Sequence, residues 1–211
     1  MNTALRWLRD RFLFLRFLLP KPLRRRITHH VIKTLPSRAY MHTTLLPATT
    51  AAVGRRMLFV GAQSYNQPFY DAARALDVAV WSIDFDPDSA AHGAPNGHFV
   101  GDIKRIDALV GDLKFDIIMF NGIFGFGINT PGDAAAALEA MAKVARGGGL
   151  LVVGWNPGLT DGREMDVTRG RLHPAHLEGL PAVMEFPAFG RIQRHPHRYE
   201  IFRFGDEVPR A

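Results

Sequence analysis

The sequence predicts an α/β domain in which helices cover both faces of a doubly wound, mostly parallel sheet, giving three layers. From residue 55 onward, short continuous apolar runs alternate five times with segments of helical periodicity. The apolar runs lack polar alternation, so each is expected to be a strand buried on both faces, as in parallel sheets. The tail of the chain does alternate polar with apolar residues, which predicts one antiparallel strand at the end.

The elements follow one another in order along the chain. The predicted strands lie at 57–62, 78–84, 98–102, 115–121 and 149–155, and the predicted helices at 66–76, 87–94, 103–112 and 131–146. Parallel strands need crossover connections, and the helical segments stand where those crossovers belong. The segment 197–204, HRYEIFRF, is typical of an antiparallel hairpin strand. We therefore assign 55–211 to one α/β domain.

The length and composition of the chain limit the number of domains and exclude several kinds of functional site. At 211 residues the chain is long enough for one full-sized domain with an appendage, but too short for two such domains. The sequence contains no cysteine. Disulfide frameworks, cysteine zinc sites, iron–sulfur clusters and thiol nucleophiles are therefore excluded.

Positive charge is concentrated at the start of the chain. Residues 1–33 hold nine Lys and Arg against one acid, a balance of +8, whereas 34–211 hold 17 basic and 19 acidic residues, a balance of −2. Within the domain, 57–143 have five basic and eleven acidic residues. A surface that binds polyphosphate has the opposite balance, so a nucleic acid substrate is not expected.

The head of the chain, 1–33, is predicted to be a basic amphipathic helical segment. Its apolar runs are far shorter than the roughly 20 residues that span a bilayer, and Pro20 and Pro22 are expected to end the helix. Two interpretations stay open for 6–26: an anchor on an anionic membrane surface, or a segment packed on protein. An Arg-rich, acid-poor start also resembles an organelle transit sequence. Residues 34–54 lack sustained periodicity and are predicted to be a linker.

Candidate site residues stand at the strand ends. In an open parallel sheet, ligands bind outside the carboxyl ends of the strands, where the strand order reverses. The small, acidic or amide-bearing residues at these ends suit a nucleoside pocket. They are 61–65, 84–86, 101–103, 121–127 and 155–156.

In this order the chain resembles the class I S-adenosylmethionine-dependent methyltransferases, a family with a seven-stranded Rossmann-like fold. LFVGAQSY stands at the family's glycine-rich turn and SIDFDP at its ribose-binding acid. The resemblance implies S-adenosylmethionine as the cofactor. It also implies that the final two strands form a hairpin with the last strand antiparallel. The residues implied to bind the cofactor are Gly61, Ala62, Tyr65, Asp84, Phe85, Asp102, Ile103 and Asn121.

The glycine turn departs from the family pattern. Of three alternating glycines only Gly61 is kept, and Gln63 and Tyr65 take the other two places. The ring of Tyr65 therefore either lies along the cofactor or fills its site. Asp84, Asp86 and Asp102 have a second interpretation as helix caps.

Three residues are candidates for catalysis. Asn121, at the end of the fourth strand, lies where a methyl acceptor is expected, and His173 or His176 are candidates for a general base. No metal site is expected, because no acidic third ligand accompanies the paired histidines. GAQSYN lacks the GxGxxG spacing of nicotinamide-dependent enzymes.

The function predicted is methyl transfer to a small-molecule, lipid or glycan-precursor acceptor. The expected location is cytoplasmic, with peripheral attachment to the inner membrane face as one possibility. The alternative is a non-catalytic binding or scaffold protein that keeps the methyltransferase fold. The sequence does not determine the oligomeric state.

Overall fold

A computed structural model describes residues 20–189 and 193–205. Its strands are β1 (Arg56–Val60), β2 (Ala79–Asp84), β3 (His98–Val100), β4 (Phe115–Asn121), β5 (Ala145–Trp155), β6 (His173–Pro174), β7 (Val183–Phe186) and β8 (His197–Arg203). Every strand predicted from the apolar runs is present, within a few residues of its expected bounds. All seven residues of β4 are buried, as expected for a central strand covered on both faces.

The sheet is mostly parallel, with spatial order β3-β2-β1-β4-β5-β8-β6. β8 runs antiparallel to β5 on one side and to both β6 and β7 on the other. β6 pairs with 202–203 and β7 with 197–200, so these two short strands lie one after the other along the same edge of β8. The described chain therefore has eight strands where seven were expected, because two separate segments share the outermost position.

The helices are shorter than the periodicity predicted. They are α1 (Lys21–Lys33), α2 (Pro36–Tyr40), α3 (Leu46–Val53), α4 (Gln67–Ala75), α5 (Ile106–Leu109), α6 (Pro131–Val144) and α7 (Arg163–Arg171). The segment Met41–Leu45 is a π-helix, and Ser64–Asn66, Pro87–His92 and Ile103–Arg105 are 3₁₀ turns. Asp86 and Asp102 cap the last two of these turns, accepting from Asp88 N and Lys104 N. The capping interpretation is therefore confirmed for both residues.

The sheet separates two apolar clusters, because successive side chains of a strand point to opposite faces. Leu58 and Ile118 face a cluster that includes α6. Met57, Phe59 and Ile117 face the other cluster, which includes buried residues of 41–46 and α4. Residues before the predicted domain boundary thus form part of its core.

The segment 34–54, for which the sequence predicts a linker, is instead mostly helical and packed on the sheet. Met41, Leu45, Leu46 and Thr49 are at most 2% exposed. The π-helical turn explains why the pattern is missed, since it shifts apolar positions away from a 3.6-residue period. The prediction of a linker was wrong.

Pro20 is the N-cap residue of the helix that follows it. The basic helix predicted to end at Pro20 and Pro22 precedes it, among residues that the structure does not describe. Lys21–Lys33 form a helix, with Pro22 in its first turn, where the missing amide hydrogen costs no helical hydrogen bond. Residues 1–19 lie outside the described part of the chain, and with them most of the segment predicted to be amphipathic. Among the described helices, none combines the length and apolar character needed to cross a membrane.

Candidate functional site

A cleft of about 760 Å³ lies at the carboxyl edge of the sheet, where sequence reasoning places the site. Since β1 lies between β2 and β4, the strand order reverses there, and the cleft opens at that point. Seven of the eight residues predicted to bind the cofactor line it: Gly61, Tyr65, Asp84, Phe85, Asp102, Ile103 and Asn121.

The turn after β1 is built around Gly61. Its φ of +87° lies in the left-handed region, which favours glycine. The side-chain amide of Asn66 donates to Gly61 O at 2.8 Å, and Gly61 N donates to Ile83 O at 2.8 Å. Both backbone polar groups of Gly61 are therefore hydrogen-bonded, and the bond to Ile83 fixes the turn against β2.

Asp84 connects this turn to the end of β2. Its Oδ2 accepts from Ala62 N at 2.8 Å, and its Oδ1 accepts from Asp86 N at 3.0 Å. Ala62 is fully buried and contributes this amide rather than a cleft-lining surface. Each carboxylate oxygen still has a lone pair available, so Asp84 can accept from two further donors in the cleft.

Apolar and acidic groups complete this end of the cleft. Phe85 is 67% exposed at its rim, with Phe126 also exposed, while Ile103 is buried in its wall. Asp102 is exposed; its Oδ1 accepts from Lys104 N, and Oδ2 lies 3.4 Å from Lys104 Nζ. At this end the cleft therefore combines apolar surfaces with carboxylates, a lining that suits a nucleoside.

The opposite end lies beyond β4. Asn121 is 6% exposed, and its Nδ2 contacts Met41 Sδ at 3.5 Å. Its neighbour across the sheet is Gly154. A Cβ added to that glycine would lie 2.0 Å from Asn121 Oδ1, so only glycine leaves room for this side chain.

Arg38, from α2, was missed by sequence reasoning. Its guanidinium stacks over the Tyr65 ring at 4.8 Å and its Nη1 donates to Asn66 Oδ1 at 3.3 Å. Within 20–189 and 193–205 no carboxylate forms an ion pair with it. The sequence carries no signal for Arg38, because its segment was predicted to be a linker.

His197 was also missed as a cleft residue. It begins β8, and since that strand is antiparallel to its neighbour β5, its first residue lies at the carboxyl edge of the sheet. The ring packs edge-on against Tyr199, with centroids 4.7 Å apart. Burial lowers the pKa of His197 to about 3, with a smaller contribution from the Arg38 charge, so the imidazole is neutral. The antiparallel assignment of 197–204 is the signal that could have identified it.

The histidines proposed as general bases lie elsewhere. His173 is exposed on β6 and pairs with Arg203, which itself pairs with Leu150; Leu150 in turn pairs with Ile117, near the start of β4. That is the amino edge of the sheet, opposite the cleft. His176 is also exposed, and neither residue is among the described residues lining the cleft. The structure therefore gives neither histidine a position from which to act there.

Comparison with solved structures identifies the fold. The N-methyltransferase NodS from Bradyrhizobium japonicum WM9 superposes with a TM-score of 0.60 at 15% identity, covering 81% of this chain and 97% of that one. A TehB-like S-adenosylmethionine-dependent methyltransferase from Corynebacterium glutamicum gives a TM-score of 0.52 at 18% identity, covering 74% of this chain and 85% of that one. An S-adenosylmethionine-dependent methyltransferase from Methanosarcina mazei gives a TM-score of 0.54 at 11% identity, covering 72% of this chain and 93% of that one.

No protein-family model and no curated protein sequence matches the chain. The structural likenesses nevertheless agree on one architecture. The chain has the fold of the S-adenosylmethionine-dependent methyltransferases, as its strand-end residues predicted. Among the residues that the structure describes, no group of three or more side chains has the composition of a metal site.

Proposed function

We propose that the protein is an S-adenosylmethionine-dependent methyltransferase. The observation that carries the proposal is the joint placement of Gly61 and Asp84 at the reversal of strand order, with the Ala62 amide tying the two together. The cleft volume of about 760 Å³ falls within the range of roughly 300–1,000 Å³ for cofactor and small-ligand sites. The overall fold agrees with this assignment but does not by itself establish chemistry.

The cleft residues suit each part of the cofactor. The free lone pairs of Asp84 match two adjacent ribose hydroxyls, and Phe85 and Ile103 offer apolar surfaces for adenine, with Asp102 nearby to accept from its amino group. Arg38 supplies a cation for the carboxylate of the methionine part. The cofactor, when bound, supplies a methyl group made electrophilic by its sulfonium charge. An acidic cleft favours that charge.

The position of Tyr65 supports the interpretation that its ring lies along the cofactor, and not that it fills the cofactor site. Its ring lies between Arg38 and His29, with His29 edge-on at 5.1 Å, and it forms a wall of the cleft. With the ring in place the cleft measures about 760 Å³. We therefore propose that Tyr65 contacts the cofactor where the family has glycine.

The acceptor is proposed to be a small molecule, a lipid or a glycan precursor, reached at a membrane surface. Lys21 and Arg26 are exposed on α1, and Leu23 is 45% exposed beside them. Two other residues of this helix, His29 and Ile32, line the cleft. Basic residues are attracted to an anionic lipid surface. Because α1 also lines the cleft, a membrane contact through 6–26 would bring the lipid surface close to the cleft.

Calorimetric titration of the full chain with S-adenosylmethionine and S-adenosylhomocysteine tests the proposal. Binding is expected, and Asp84→Asn should weaken it by about 1.5–3 kcal/mol, the scale of hydrogen bonds to a charged group. Asp86→Asn is the matched control, because Asp86 caps the next turn and asparagine caps equally well. A folded wild-type protein that binds neither ligand at millimolar concentration would favour the non-catalytic scaffold instead.

A further inference from the structure

We propose that a second cavity, beside the cofactor cleft, binds a phosphate group of the methyl acceptor. This cavity measures about 760 Å³ and lies between α1 and the turns Ser64–Asn66 and Pro87–His92. Six basic side chains line it: Lys21, Arg26, His29, His30, Lys33 and His92. The inference rests on the proposed methyltransferase function and names the chemical class of the acceptor.

One face of α1 supplies most of the basic groups. Arg26, His30 and Lys33 are four and three residues apart, so they lie on the same side of the helix. In the described part of the chain, no carboxylate forms an ion pair with Lys21, Arg26 or Lys33. Lys33 is also half-buried, and a cation that has lost part of its hydration favours an anionic partner. This face of α1 therefore offers positive charge to a bound anion.

The charge and the donors of the cavity match a phosphate. Asp88 is the one carboxylate in its described lining, against three Lys and Arg side chains, so the cavity is positive overall. The imidazoles of His30 and His92 add further nitrogen donors. A phosphate monoester carries a charge of roughly −1.5 to −2 at pH 7 and three strong acceptor oxygens. A carboxylate, with a single charge, would satisfy fewer of these groups.

The surroundings favour an isolated phosphate over a polyanion. Positive charge is concentrated in the second cavity, whereas the described lining of the adjoining cleft contains Asp84, Asp86 and Asp102. A nucleic acid strand that entered both would place its next phosphates against these carboxylates, which is unfavourable. The phosphate therefore belongs to a small molecule or to a lipid headgroup.

A shared wall connects the second cavity to the cofactor cleft. His29 lines both, and its Nδ1 lies 2.6 Å from Ser64 Oγ, within hydrogen-bond distance. The next residue, Tyr65, lines the cleft, and its ring packs edge-on against His29 with centroids 5.1 Å apart. One layer of side chains thus separates the two cavities. An acceptor held by its phosphate in the second cavity can extend past His29 toward the cofactor.

Binding is tested on the full chain, ¹⁵N-labelled at histidine and saturated with S-adenosylhomocysteine. The probes are hexyl phosphate, hexanol and inorganic phosphate. Both phosphates should shift the His30 and His92 resonances, assigned with His→Gln variants, and leave that of His173, on the far edge of the sheet, unchanged. Hexyl phosphate should bind at least about tenfold more tightly than hexanol, because only the ester carries the charge. It should not displace S-adenosylhomocysteine, since an acceptor and the cofactor bind together.

A pair of double variants separates the cavity from general electrostatics. Arg26→Gln with Lys33→Gln should weaken hexyl phosphate binding about tenfold and leave S-adenosylhomocysteine affinity unchanged. The matched control is Lys114→Gln with Arg171→Gln, which removes the same two charges. Lys114 and Arg171 are exposed, precede β4 and β6 at the amino edge, and line neither cavity. The control should bind hexyl phosphate as the wild type does.

The direction of the bound chain tests whether the phosphate site serves the cleft. With ¹³C-labelled isoleucine methyl groups, the alkyl protons of hexyl phosphate should give intermolecular NOEs to Ile32 or Ile123, which line the cleft. A phosphate site unrelated to methyl transfer would leave the chain in solvent.

Vesicles distinguish the two sources of the phosphate. Phosphatidylcholine vesicles with phosphatidic acid present the group on a lipid, and vesicles with diacylglycerol in its place do not. Sedimentation that requires phosphatidic acid, and that falls in the Arg26→Gln and Lys33→Gln protein but not in its control, assigns the phosphate to a lipid. Hexyl phosphate binding without that difference assigns it to a soluble acceptor.

Four outcomes would overturn the proposal. They are hexanol that binds as tightly as hexyl phosphate, equal losses in the two double variants, displacement of S-adenosylhomocysteine by hexyl phosphate, and a bound alkyl chain that contacts no isoleucine of the cleft. The wild-type measurements stand even if a variant does not fold. A wild-type chain that binds no S-adenosylhomocysteine would remove the proposed function whatever hexyl phosphate does, so the two failures are distinguishable.

Discussion

Gly154 is the position where one added methyl group should disturb the site most directly. In Gly154→Ala the new Cβ would lie 2.0 Å from Asn121 Oδ1 and 2.7 Å from Tyr199 Cε1. Neither neighbour can move easily, because both are buried and Tyr199 is also held by its bond to Ser37 O. We expect a loss of about 2–3 kcal/mol in the free energy of unfolding, within the upper range for overpacked cores.

Urea denaturation of the purified full chain measures this loss. The control is Gly170→Ala, since Gly170 lies in α7 with no atom within 4 Å of an added Cβ. There the alanine should stabilise the protein by about 0.5–1 kcal/mol through helix propensity. A cost below about 0.5 kcal/mol at Gly154 would show that Asn121 does not occupy the position described.

Three further perturbations follow from the same structure. Tyr65→Gly should weaken S-adenosylhomocysteine binding in calorimetry while leaving the unfolding transition unchanged, because the ring supplies contact area in a loop; an affinity gain would mean that it obstructs the site. The pKa of His197 falls from 6.5 to about 3 on folding, so stability is fully present above pH 6.5 and lost as pH falls towards 3. Between pH 6.5 and 5 the His197 contribution should be roughly 1.6 kcal/mol, measured in urea titrations as the difference between wild type and His197→Phe, because burial also lowers the pKa of His98 and adds a loss common to both. Removing residues 1–19 should reduce sedimentation with phosphatidylglycerol vesicles, most clearly at low salt, and equal sedimentation of both proteins would argue against a membrane role for the head.

The part of the site that was predicted correctly could be read from neighbouring residues in the sequence. Gly61 and Asp84 each follow a continuous apolar run directly, so their placement at strand ends requires only that the runs be strands. The strand order then brings the ends together. Nothing in this inference depends on residues far apart in the chain.

The half that was missed depends on long-range packing. Arg38 belongs to a segment whose π-helical turn removes the helical period, and His197 reaches the cleft only through the orientation and register of β8. His173 shows the converse error, since its chemistry is suitable but its strand pairs at the amino edge. Residue type alone did not reveal which edge of the sheet a side chain occupies.

The bond from Tyr199 to Ser37 O joins residues 162 positions apart, so segments near the two ends of the described chain meet at the end of the cleft beneath α2. The nucleoside end, in contrast, is assembled from the consecutive segment between β1 and the loop after β4. Changes at the start of β8, or in α2 apart from Arg38, can therefore reshape this end of the cleft without touching the segment that carries Gly61, Asp84 and Asp102. A library that aims to change what this end of the cleft binds should randomise 35–37 and 39–41 together with 193–198, and keep Arg38 and 56–103 as they are.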